Sequence, residues 1–320
     1  MQDKQSTEKQ PGWEKQLLEK LAFEQLKEYR RSRRWGVFFK SLAFLYVFVL
    51  LVLAIPDEFS DSKLGKDVTA IVEVKGLISD DTEASADNVI SGLRDAFEHK
   101  HTKGVIVRIN SPGGSPVQAG YIHDEINRLR KKYEDIPVYA VVTDICASGG
   151  YYIAAAADKI YVDKSSIVGS IGVLMNGYGF VGTMDKLGVE RRLLTAGEHK
   201  AILDPFSPVN EFDVQHVQSV LDEMHAQFIE VVKKGRGVRL QENDEIFSGL
   251  FWSGEKSIEL GLADALGSSS YVAREVVGAE DLKDFTKRED VFERFADRLG
   301  ASIASKLGLM SGLGETPQIR

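Results

Sequence analysis

Ser148, Gly149 and Gly150 stand where an apolar strand over residues 138–142 gives way to a small-residue turn and then a helix. A turn of this kind can present a serine hydroxyl as a nucleophile. The two glycines remove Cβ bulk beside it, and the first amides of the following helix, which lack intrahelical carbonyl partners, can face a developing oxyanion. That combination is acyl-transfer chemistry, although a serine before a helix also serves ordinarily as its cap. A second segment repeats the design: the β-branched strand at 105–109 ends abruptly at Pro112, Gly113 and Gly114. Bare backbone there can approach a ligand and offer a second amide, although Pro-Gly-Gly also punctuates plain loops. Cys146, the sole cysteine, lies between Ile145 and Ala147 and reads as a buried structural thiol rather than a rival nucleophile.

A serine needs a base to take its proton. His99 and His101 fall in a charged loop, and His123, His216 and His225 occupy polar positions of helical stretches, where they read as solvated. His199 is the one histidine placed to act, yet nothing in the sequence sets an acidic orienter beside it, so a Ser/His/Asp triad is the weaker scheme. A lysine serves instead when desolvation leaves part of its amine neutral. Lys200, just before Ala201, Ile202, Leu203, Pro205 and Phe206, has apolar neighbours suited to that, although composition alone makes any lysine a solvated surface group.

Three segments together resemble a known family. Asn110-Ser-Pro-Gly-Gly114, Ala147-Ser-Gly-Gly-Tyr-Tyr152 and Gly169-Ser-Ile-Gly-Val173 are similar in order and spacing to the signature segments of bacterial signal peptide peptidase A. The resemblance runs from about residue 68 to 266. It implies a Ser/Lys-dyad serine protease, anchored in the membrane, with a ClpP/crotonase-like spiral of β-β-α units. It also implies roles: Ser148 as nucleophile, Lys200 in Ala196-Gly-Glu-His-Lys-Ala201 as general base, Ser170 as the hydroxyl that orients the lysine, and backbone amides near Gly114 and Gly149 as the oxyanion hole. No metal or organic cofactor is required. The family assembles into homo-oligomeric rings, in which Ser148 and Lys200 can come from neighbouring subunits.

The elements that must position these residues alternate. Strands are expected at 69–74, 104–109, 138–142 and 159–162, from 172 onward and near 190–194, with helices at 86–98, 117–133, 150–156 and 213–234. A short strand, a turn and a helix ending at Gly261 follow, and a helical pattern begins beyond Asp281. Such alternation means α/β, and strands as apolar as Val105-Ile-Val107 require helices on both faces of a mostly parallel sheet.

Residues 35–55 are apolar except for Lys40 and Ser41, and 21 residues match the roughly 20 that cross a bilayer as a helix. Arg30, Arg31, Arg33 and Arg34 precede this run and acidic residues follow it, the asymmetry of an uncleaved signal anchor with its N-terminus in the cytoplasm. The expected organisation is therefore a charged cytoplasmic segment 1–34, a transmembrane anchor 35–55, a linker 56–67, a periplasmic peptidase domain 68–278 and a C-terminal tail 279–320. The first 34 residues hold nine Lys/Arg against six Asp/Glu, so the rest of the chain carries −11 of the net −8. Nothing in that balance suggests nucleic acid.

A hydrolase tethered on the outer face of the inner membrane meets peptides leaving or lodged in the bilayer, and signal peptide remnants are such peptides. Apolar residues near the two turns, Ile153 and Leu174 among them, can line a groove for extended segments. Three alternatives stay open: a related membrane-tethered Ser/Lys peptidase with another substrate, a crotonase-type thioester enzyme, and a scaffold without catalysis.

Overall fold

The computed structural model describes residues 12–53, 65–241 and 243–288 of the chain. The chain divides into two compact units, Met1–Leu64 and Gly65–Arg320. In the first, helix α1 runs over Trp13–Leu53 and takes in the leucine-rich stretch before the arginines. Among the described residues no helix is long and apolar enough to cross a membrane. The expected crossing segment 35–55 continues past Leu53 into residues outside the described ones, as does most of the linker.

The second unit is built on an eight-stranded sheet. In chain order its elements are β1 (Val68–Lys75), α2 (Ala86–Glu98), β2 (Thr102–Ser111), α3 (Pro116–Lys132), β3 (Val138–Ala147), α4 (Gly149–Ala154), β4 (Lys159–Val162) and β5 (Ile167–Gly169). They continue with α5 (Val181–Leu187), α6 (Glu211–Arg236), β6 (Phe251–Ser253), α7 (Gly254–Glu259), β7 (Ala265–Leu266) and β8 (Asp281–Asp284). The strand order is β6-β5-β3-β2-β1-β8, with β4 joined to β3 and β7. Every pairing is parallel except β5 with β6. This is the expected mixed α/β architecture.

Burial explains it. Ala70, Val72 and Val74 of β1, with Val105, Val107 and Ile109 of β2, face α2 and α3 across the main core. On the opposite face Ile71, Ile106, Val141 and Tyr161 meet Val272 in a second, smaller core. Both faces of the central strands are thus removed from water, which is why they carry apolar residues at successive positions. The amphipathic helix α2 begins at a side-chain cap, Ser85 accepting from the Asn88 amide.

Strand β3 does two jobs. Its first half, Tyr139 to Val141, pairs with β4, and its last three residues, Ile145 to Ala147, pair with β5. The strand expected to end at 142 therefore runs on through Thr143 and Asp144, whose polar side chains hide it from a hydropathy reading. Two expected strands differ more. The one placed from 172 onward is β5 instead, at Ile167–Gly169, and residues 190–194 form no strand and pair with none. The helical pattern expected beyond Asp281 begins instead with β8, which completes the sheet beside β1.

Glu125 of α3 is buried and held by three short bonds, from Arg128 Nε and Nη2 and from Arg94 Nε, each 2.7 Å long. The Arg128 hydrogen bonds, with those of Arg94, outweigh burial and hold its carboxyl at about 2, below the usual 4.5. Its contribution to stability is fully present above about 4.5 and is lost as pH falls toward 2. Thermal unfolding followed by circular dichroism is therefore expected to show a shallower acid decline across that interval for Glu125→Gln than for the parent chain. Equal slopes would show the carboxylate to be inconsequential.

Candidate active site

Ser148 stands between β3 and the six-residue α4 with φ 51° and ψ −121°, a backbone region that side-chain-bearing residues avoid. Its side chain makes no capping hydrogen bond to the helix it precedes. The ordinary structural use of such a serine is thus absent, and the strain displays the hydroxyl at a sharp strand-to-helix turn, the arrangement of a nucleophile elbow.

What holds the turn is visible on all sides. The Ser148 amide donates to the Gly169 carbonyl at 2.9 Å, extending the β3–β5 ladder by one residue. Behind α4, the fully buried Tyr151 donates its hydroxyl to the Leu262 carbonyl at 2.8 Å. Arg236, 1% exposed, anchors the same layer through Gly261 and Asp264, both at 2.8 Å. Cys146 is buried beneath the turn, and burial pushes its thiol far above the ordinary range, so it is the inert packing residue the sequence suggests.

The Pro-Gly-Gly turn after β2 interlocks with this elbow. A Cβ on Gly113 would lie 2.7 Å from Ser148 Cβ and 2.8 Å from the Gly149 nitrogen, so only a glycine, here at φ 103°, fits against the serine. Ile78 brackets the next residue: it donates to the Gly113 carbonyl at 2.9 Å and accepts from the Ser115 amide at 2.8 Å, which leaves the Gly114 amide outside the bridge. That nitrogen is 3.4 Å from where a Gly149 Cβ would stand. The backbones of Gly114 and Gly149 thus come close together from two different turns, beside Ser148.

Ser170 follows from register. Ala147 is opposite Gly169 in the parallel β3–β5 pair, so the next residues, Ser148 and Ser170, emerge side by side from adjacent strand ends. Ser170 also has a positive φ of 53°, and its amide is fixed by the Leu250 carbonyl at 2.7 Å. Ser148, Ser170, Gly114 and Gly149 all line one cleft of about 700 Å³. Leu174 lines it as expected, whereas Ile153 is wholly buried in the core.

Lys200 is not among the lining residues. It lies exposed in a turn within residues 188–210, a stretch without helix or strand, its amide bonded to the Gly197 carbonyl at 3.2 Å. One chain therefore gathers four of the five nominated residues and leaves Lys200 outside. The apolar neighbours do not dry the lysine either.

Three histidines differ from their reading as solvated or partnerless. His225 of α6 lines the cleft and donates from Nε2 to the Ile171 carbonyl at 3.2 Å, next to Ser170. Its place between Met224 and Phe228, on the apolar stripe of α6, was the available signal. His123 packs edge-on against Tyr152, another cleft residue, at 5.3 Å, and burial lowers its pKa. His199 does have an acidic neighbour: Nδ1 donates to Asp213 Oδ1 at 2.7 Å. The two are fourteen residues apart and come together because the chain after the Lys200 turn leads back to the first turn of α6.

Residues 130–283 match Peptidase family S49. The chain is 31% identical over 249 residues to the protein of Enterococcus faecium that carries the provisional name signal peptide peptidase SppA, covering 74% of this chain and 72% of that one. It is 34% identical over 203 residues to Protease 4 of Haemophilus influenzae, covering 62% of this chain and 32% of that protein. A 45% identical stretch of 186 residues occurs in a Brucella abortus protein named Na(+)/H(+) antiporter NhaA, where it covers 58% of this chain but only 25% of that protein. With the strained serine, the interlocked glycine turns and these matches in place, the chain belongs to the S49 family of serine peptidases, the family of signal peptide peptidase A.

Proposed function

We propose that the protein is a membrane-anchored serine endopeptidase in which Ser148 attacks peptide carbonyls and Lys200, supplied by a neighbouring copy in a ring, acts as the base. The observation that carries this reading is Ser148 itself: a strained, uncapped serine in a cleft that Gly114 and Gly149 also line. Lys200 Nζ takes the Ser148 proton as the Oγ–C bond forms, and the Gly114 and Gly149 amides receive the negative charge on the carbonyl oxygen. Collapse breaks the C–N bond, and the lysine returns the proton to the departing amine. Water then attacks the acyl ester, giving its proton to Lys200, and Ser148 regains the proton as the ester bond breaks. Ser170 orients the lysine amine between these steps.

A partner copy supplies what the single chain lacks. A lysine base must be dried to work, and Lys200 is exposed in its own chain. Residues 174–209, the segment that carries Lys200, leave Leu174, Met175, Tyr178, Leu187, Leu194 and Val209 exposed, 97% for Leu194. Covering that apolar surface with a second copy both stabilises an assembly and removes water from Lys200.

The finer fold reading is a ClpP/crotonase-like spiral of β-β-α units in which β3 passes from one sheet portion to the next. Residues 35–55 anchor the chain in the bacterial inner membrane with residues 1–34 in the cytoplasm and the peptidase unit outside it, supported by the arginines before the run and the acidic residues after it. Substrates follow from that placement: extended apolar peptides, cleaved signal peptides foremost, which the apolar side of the cleft formed by Leu174, Phe228 and Phe247 suits. A ring bars folded proteins by size.

The full-length chain in a bilayer mimic, incubated with an unstructured apolar peptide, a folded protein and an acyl-coenzyme A thioester, is expected to hydrolyse only the peptide. Thioester hydrolysis with the peptide left intact would favour the crotonase-type alternative and overturn the reading.

The Gly114 turn gives a further expectation. A Cβ there would stand 2.1 Å from the Ile78 carbonyl oxygen, so Gly114→Ala forces the turn, and its amide, to move. Loss of one oxyanion donor lowers kcat by about 10²- to 10³-fold. Steady-state kinetics on the variant would check it, and a kcat within a factor of about three of the parent would remove Gly114 from the oxyanion pocket.

A further inference from the structure

Lys200 sits on a stretch with neither helix nor strand, so its position must be fixed by side chains. Two staples flank it. On the C-terminal side Arg191 pairs with Asp204 at 3.1 Å and lies over the Phe206 ring, which stacks on Phe180 at 5.5 Å. On the other side is His199, the residue immediately before Lys200. Its Nδ1 donates to Asp213 at 2.7 Å, its ring stacks on Phe212 at 4.6 Å, and its carbonyl accepts from the Ile202 amide at 3.2 Å, closing the turn on which the lysine sits. Asp213 is buried, 8% exposed, and belongs to the first turn of α6. That helix is rigid and 26 residues long, and it carries His225 into the cleft, where His225 holds the Ile171 carbonyl beside Ser170.

We infer that His199 and Asp213 form a positioning pair that fixes the Lys200 turn to α6, so that the lysine is presented in one orientation before it meets a serine. This rests on the assignment of Lys200 as the base. The physical need is plain: the amine must approach a hydroxyl to hydrogen-bond distance, and displacement by about 1 Å costs about 10²-fold in rate. The pair touches neither substrate nor serine. Its effect falls on how often Lys200 is in place, and therefore on kcat rather than on substrate binding.

The test uses full-length chain in a bilayer mimic with an unstructured apolar peptide, assembly state being followed by light scattering. His199→Ala is expected to lower kcat by about 10- to 100-fold with KM within about threefold. His199→Asn, whose side-chain N–H replaces Nδ1–H, is expected to recover kcat to within about threefold of the parent. Asp213→Ala should match His199→Ala, and the double variant should be no worse than either, because one bond is lost once. An unchanged kcat in His199→Ala, or no recovery in His199→Asn, overturns the inference. Should His199→Ala fail to assemble, the recovery by His199→Asn and the kcat of Asp213→Asn, which keeps the accepting oxygen, decide the matter against the parent value. Lys200→Ala separates the two levels: if it stays active the base assignment falls, and if it is inactive while His199→Ala is normal only the positioning pair falls.

Discussion

Replacing Ser148 with alanine lowers kcat by about 10⁴- to 10⁶-fold, the range seen when the nucleophile of a serine hydrolase is removed. The fold should survive, because the Ser148 side chain makes no capping bond to α4 and the turn is held by its backbone and by Tyr151 from behind. A second variant makes the expectation sharper. Ser148→Gly is equally inactive, but glycine relaxes in the positive-φ conformation that Ser148 adopts at 51°. Strain of that kind costs about 1–3 kcal/mol, so Ser148→Gly is expected to unfold at a higher temperature than Ser148→Ala. Kinetics and thermal unfolding on the three chains would check both statements together. A Ser148→Ala chain that still turns over would place the nucleophile elsewhere.

The second large effect is at Lys200. Lys200→Ala is expected to lose at least about 10⁴-fold in kcat, since the serine then has no group to take its proton. Lys200→Arg should be no better, because a guanidinium keeps its proton at every accessible pH and supplies charge without basicity. A Lys200→Arg chain with near-normal turnover would mean that the position supplies charge alone.

Much of the fold was legible because burial writes a simple pattern. β1, β2 and the first half of β3 are buried on both faces and read as apolar runs, and α2 and α3 carry stripes at helical spacing with Ser85 and Ser115 as caps. Sequence failed where position is decided by a partner strand. Leu193 and Leu194 look like a strand but pair with none, and the alternating Asp281–Asp284 pairs with β1 from over two hundred residues away. Thr143 and Asp144 hide the end of β3 because polar residues there face away from the core.

The site divides along the same line. Ser148, Gly114 and Gly149 are set by local turns and could be named from their neighbours. Ser170 needs the β3–β5 register, which no local pattern gives. His225 and the His199–Asp213 contact depend on how α6 lies in the tertiary structure, so the sequence read His225 as solvated and found no acidic partner for His199. Lys200 lies outside the cleft of its own chain, a placement that no local pattern in the sequence reveals.

That delivery can be measured directly by mixing. Full-length Ser148→Ala and Lys200→Ala chains, each inactive, are disassembled, combined in equal amounts and reassembled, then assayed on an unstructured apolar peptide. Each chain supplies the residue the other lacks, so random assembly restores about a quarter of the parent activity per site if the serine and lysine come from adjacent copies. Mixed assemblies that form, verified by differential labels, yet remain as inactive as either parent variant would contradict the sharing of one site between two chains.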